Sequence, residues 1–79
     1  MNNKRQSSRR RTFKGGSISF ARGVTDCVIR NMSDTGALLE VASPLGIPDR
    51  FILIIKPEII QRQCQVVRRT AKNIGVKFL

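Results

Sequence analysis

The chain has 79 residues, enough for one small domain with a modest core. Lys and Arg number 15 against 5 Asp and Glu, so the formal charge is +10, and 41% of residues are hydrophobic. No apolar run approaches the roughly eighteen residues of a membrane span, and Met1 leads into polar residues with no signal-peptide core, which points to a soluble, cytoplasmic chain. His, Trp and Tyr are absent. That removes the commonest general base and metal ligand, speaks against an enzyme, and makes an anionic partner the expectation.

Residues 1–14 carry six cations (Lys4, Arg5, Arg9, Arg10, Arg11, Lys14) and no acid. The segment from Met1 to Thr12 has no hydrophobic periodicity. It buries too little apolar surface to offset the entropy of ordering, and reads as a flexible basic arm. The folded part is then residues 13–79.

From Phe13 onward, short strand patterns alternate with turn residues. The first strand runs Ser17–Phe20, after Gly15-Gly16, with Ile18 and Phe20 on one face. A turn at Arg22-Gly23 leads into Val24–Met32, and Asp34-Thr35-Gly36 separates that strand from Ala37–Ala42. Ala37, Leu39 and Val41 share a face of the third strand. The stretch Ser43–Pro48 is too rich in Pro and Gly for regular structure. Phe51–Lys56 is a β-branched apolar run suited to a strand buried on both sides, ended by Pro57. Gln61–Arg69 alternates, and Ile74, Val76 and Phe78 face inward on the last strand. Six strands and no helix predict an all-β fold, a small six-stranded antiparallel barrel or sandwich, with a barrel favoured because closure removes exposed edges.

Cys27 and Cys64 lie among apolar residues in two of these strands and read as reduced core thiols; a disulfide is the alternative, but nothing else in the sequence suggests an oxidising compartment. Two thiols without His do not complete a zinc site unless carboxylates or a second chain help, so no metal and no cofactor are expected.

The second strand contains a conflict. Cys27 and Ile29 share the inner face, so strict alternation would bury Asn31 and Ser33 and expose Met32. A bulge or strand end between Ile29 and Met32 resolves it, turning the amide and the hydroxyl outward just before Gly36 lets the chain reverse.

Arg5-Gln6-Ser7-Ser8-Arg9 followed by Asn31-Met32-Ser33-Asp34-Thr35-Gly36, on six strands, resembles the PilZ domain family over essentially the whole chain. The family's signature is an Arg-x-x-x-Arg arm and an (Asp/Asn)-x-Ser-x-x-Gly barrel motif. The resemblance implies a split barrel, no catalysis, and a receptor for the bacterial second messenger cyclic di-GMP that signals to a downstream protein partner, as a monomer or a ligand-linked dimer. It assigns ligand contacts to Arg5 and Arg9, with Arg10 auxiliary, and to Asn31, Ser33 and Gly36 on the barrel. Gly36 would let backbone approach the ligand with no Cβ in the way. The chemistry agrees, because a planar guanidinium fork matches both a phosphate and a guanine O6/N7 edge. A second register, Arg10-Arg11-Thr12-Phe13-Lys14, substitutes Lys for the second fork and is disfavoured. Asn31 and Ser33 also admit a plainer reading, as turn residues satisfying their own backbone. The alternative function is a nucleic-acid-binding barrel of the OB or cold-shock type, supported by the net charge. It is weakened by the expected burial of Phe20, Phe51 and Phe78, which leaves only Phe13 as a stacking platform.

Overall fold

The computed structural model describes residues 10–79, with side chains from Lys14 onward. Arg5 and Arg9 lie outside the described residues. Six strands form: β1 (Arg10–Phe20), β2 (Gly23–Met32), β3 (Gly36–Glu40), β4 (Arg50–Ile55), β5 (Ile60–Arg69) and β6 (Asn73–Phe78). They close into an antiparallel barrel in the order β1-β2-β3-β6-β5-β4. Strand β3 pairs with β6, so residues 41–49 must cross one end of the barrel before β4 begins.

Alternation builds the core, because side chains at every second position of each strand point inward. Ile18, Ile29, Leu39, Leu53, Cys64 and Ile74 are fully buried, and Val41, Ile47, Phe51, Ile55 and Val76 join them. Each such aliphatic side chain is worth about 1.5–3 kcal/mol of burial. Ile47 belongs to the Pro- and Gly-rich crossing segment, which therefore plugs the barrel end while remaining irregular. Cys27 and Cys64 are free and buried. Burial raises both thiols to about 11, Cys27 with help from the neighbouring Asp26 charge. They stay neutral at physiological pH and behave as small apolar side chains.

The structure corrects several expectations. Strand β1 begins at Arg10, not Ser17, because Arg10 and Arg11 pair with Met32 and Asn31 at the end of β2. The sheet thus extends into the last residues of the segment read as an arm. Strand β3 stops at Glu40, although Val41 stays buried and its N–H donates to the Lys72 carbonyl (2.8 Å). Strand β4 is buried on one face, not two: Phe51, Leu53 and Ile55 point inward, whereas Ile52 is 37% exposed. No described element covers the barrel exterior there, so an apolar run alone cannot bury both faces. Phe20 and Phe78 are only partly buried and pack against the core, whereas Phe51 is fully inside.

Candidate functional site

Two strand irregularities create the site. Along the β2–β3 ladder, Val28 faces Glu40 and Ile29 faces Leu39, but Asn31 faces Leu38 and Met32 faces Ala37. Arg30 is the extra residue, so the bulge required by the sequence lies where expected, between Ile29 and Met32. Met32 swings against the core and Asn31 turns outward. Arg30 itself reaches Glu40 across the ladder in a close ion pair on the barrel surface. The second irregularity is in β5. Val66 faces Val76, then Arg68 faces Gly75, leaving Val67 as the extra residue.

Together these bulges align one outward row across four strands. Asn31 of β2 faces Leu38 of β3, Leu38 faces Gly75 of β6, and Gly75 faces Arg68 of β5. Directly paired residues of antiparallel strands carry their side chains on the same face. Strands lie about 4.8 Å apart, so roughly 14 Å of backbone separates the two polar ends. Gly75 has no side chain to fill the middle, and a cleft of about 280 Å³ opens there. Asn31, Ser33, Thr35 and Gly36 line one side, and Arg68 and Lys77 line the other. No Asp or Glu is in its wall, whereas two cations are. The arrangement suits a ligand that is anionic and rich in hydrogen-bonding edges.

The three barrel residues singled out by the sequence are therefore brought together, but their surroundings differ. The Asn31 side chain lines the cleft and makes no hydrogen bond among the described residues. The Ser33 hydroxyl accepts from the Thr35 N–H (3.2 Å) and sits 3.2 Å from the Thr35 hydroxyl, while the Ser33 N–H donates to the Gly36 carbonyl (2.9 Å). It thus organises the β2–β3 turn, the local role open to a serine at such a place, while still facing the cleft. Gly36 departs from expectation. It is not in the positive-φ region, which among described glycines holds only Gly23 and Gly46. A Cβ at position 36 would instead strike the Val76 carbonyl oxygen and come within 3.3 Å of the Lys77 Cα. The glycine is required by the close approach of β3 to β6, whatever binds outside.

The arm joins the barrel beside this cleft. Arg10 is paired with Met32 and Arg11 with Asn31, so the chain enters β1 at the cleft edge. Lys14, the second cation of the disfavoured register, is engaged elsewhere: its ammonium lies 3.3 Å from Glu58. The Glu58 carboxyl is held below its usual range by its own backbone N–H and then by Lys14. The aromatic side chains that a single-strand binder would need are committed to packing among the described side chains. Phe78 carries the Arg62 guanidinium 4.1 Å above its ring.

Arg68 and Lys77 line the cleft although the sequence reading singles out neither, taking Gln61–Arg69 only as an alternating strand. Among the described residues no group of metal-ligating side chains gathers anywhere, and no helix is long and apolar enough to cross a membrane.

A six-stranded closed barrel with a polar, cation-walled cleft at an Asn-x-Ser-x-x-Gly turn defines a small ligand-binding module of the PilZ type. The PilZ domain profile matches residues 3–79, and the chain belongs to that family. PilZ domains are cyclic di-GMP receptors, binding modules and not enzymes. Comparison with curated proteins gives no match.

Proposed function

We propose that the protein binds cyclic di-GMP over this cleft, with Asn31 and Ser33 contacting the ligand from the barrel and Arg5 and Arg9 closing over it from the arm. Arg10 contributes an auxiliary contact from the head of β1. The observation that carries the reading is the acid-free cleft at Asn31, Ser33 and Gly36, with the chain entering β1 at its edge. In sequence the Arg5–Arg9 motif immediately precedes Arg10, which pairs with Met32 at the end of β2.

Both halves are needed on energetic grounds. A bidentate Arg–guanine contact is worth about 1–3 kcal/mol, while fixing each arm residue costs about 1–2 kcal/mol of backbone entropy. Two arginines barely offset the ordering of their own segment. Micromolar affinity needs about 8 kcal/mol net, so phosphate pairing and barrel contacts supply much of it. The arm accordingly orders upon the ligand, and its change of position is what a downstream partner reads.

Calorimetry with Arg5→Ala and Arg9→Ala tests this. Each substitution is expected to remove most of the measurable affinity, with the melting temperature unchanged. Parent-like binding by both variants would remove the arm from the site.

A further inference from the structure

We propose that Arg68 of β5, assisted by Lys77 of β6, is a phosphate-contacting residue of the cleft. This inference rests on the cyclic di-GMP reading and adds to it a second cationic wall, opposite the arm.

The partners of the β5 arginines single one of them out. Arg62 lies over the Phe78 ring, and Arg69 donates to the Asp49 carboxylate at 2.9 Å. Arg68 has no hydrogen bond or ion pair among the described residues, and it lines the cleft. Its placement follows from the β5 bulge. Were β5 regular beyond Val66↔Val76, Val67 would face Gly75 and Arg68 would face the fully buried Ile74. In the observed register that place opposite Ile74 belongs to Arg69, which is exposed and turns aside to Asp49. The extra residue moves Arg68 one step, onto the outward row that ends at Asn31.

Gly75 makes the position usable. A Cβ built there would lie 3.6 Å from the Arg68 Cβ and 3.9 Å from its Nε, so the arginine stem crosses the bare backbone of β6. Lys77 is two residues further along β6 and so on the same face, opposite Gly36. The cleft wall holds no carboxylate to neutralise either cation. An arginine fork and a lysine ammonium without a counter-charge, facing a concavity with amide and hydroxyl groups across it, fit a phosphodiester.

Calorimetry with cyclic di-GMP on the parent, Arg68→Ala, Arg68→Lys and Arg69→Ala decides the matter. Arg68→Ala should weaken binding tenfold or more, as loss of a hydrogen bond to a charged group does. The gap to the parent should narrow as salt is raised. Arg68→Lys should bind between the two, and Arg69→Ala, whose partner is Asp49, should match the parent. Native amide spectra of every variant confirm that folding is unaffected. If the parent binds and Arg68→Ala binds equally well, the assignment of Arg68 falls and the ligand reading stands. If the parent ignores cyclic di-GMP, both fall.

Discussion

Gly36→Ala should destabilise the barrel more than any other single methyl added to it. The new Cβ would meet the Val76 carbonyl oxygen and the Lys77 Cα, both backbone atoms of the neighbouring strand. Neither can swing aside as a flexible side chain would. Relief requires β3 to part from β6, at the turn whose Thr35 carbonyl accepts the Phe78 N–H (2.8 Å). Overpacking of this kind costs about 1–3 kcal/mol or more, in a domain small enough to have little stability in reserve. Each kcal/mol shifts the midpoint of so short a chain by about 4–8 °C. A fall in Tm on the order of 10 °C or more is expected in a thermal melt, with ligand affinity reduced as a consequence. A parent-like Tm would show that the two strands approach less closely than described.

Gly75→Val should do the opposite. Position 75 is next to position 76 on the same strand, yet its outward side is covered only by the Arg68 and Val67 side chains, which an added Cβ meets at ordinary contact distances of 3.6–3.9 Å. A β-branched residue also suits a strand interior better than glycine does. Stability should therefore change by no more than about 1 kcal/mol, in either direction. The isopropyl group would stand on the cleft floor between Leu38 and Arg68. Cyclic di-GMP binding should drop at least tenfold while Tm moves by less than about 8 °C. Undiminished affinity in a folded Gly75→Val protein would mean that the ligand sits elsewhere. Two glycines facing adjacent strand pairs thus separate a requirement of the fold from a requirement of the site.

How much of this was legible beforehand depends on whether the residues around each irregularity disagreed with simple alternation. Between Ile29 and Met32 they did: an amide and a hydroxyl at inward positions, with a methionine outward, demanded a bulge, and the structure has it at Arg30. At Val66-Val67-Arg68-Arg69 the pattern is silent, because two apolar residues precede two cations and a shift by one looks the same in either register. The bulge at Val67, and with it the outward course of Arg68, therefore needed the ladder to β6. The role of Gly36 was hidden for a related reason. Strand β3 pairs with β6, far along the chain, and local sequence does not announce which carbonyl will press on which glycine. The start of β1 carries no local signal, because Arg10–Lys14 shows no alternation; these residues are strand because β2 offers a partner edge. The six-strand order of elements, by contrast, was plain from turn residues and apolar periodicity, since each local signal agreed with the closed barrel.

In the proposed complex the arm and one cleft on the barrel exterior hold a cyclic purine dinucleotide together. An amide NMR titration of the parent protein with cyclic di-GMP tests it most directly. Shifts should concentrate in residues 4–11 and 31–37, and in Arg68, Gly75 and Lys77, while the Val24–Asp26 and Ile52–Ile54 stretches across the barrel stay still. Saturable shifts centred on that opposite wall, or none at millimolar ligand, would contradict it.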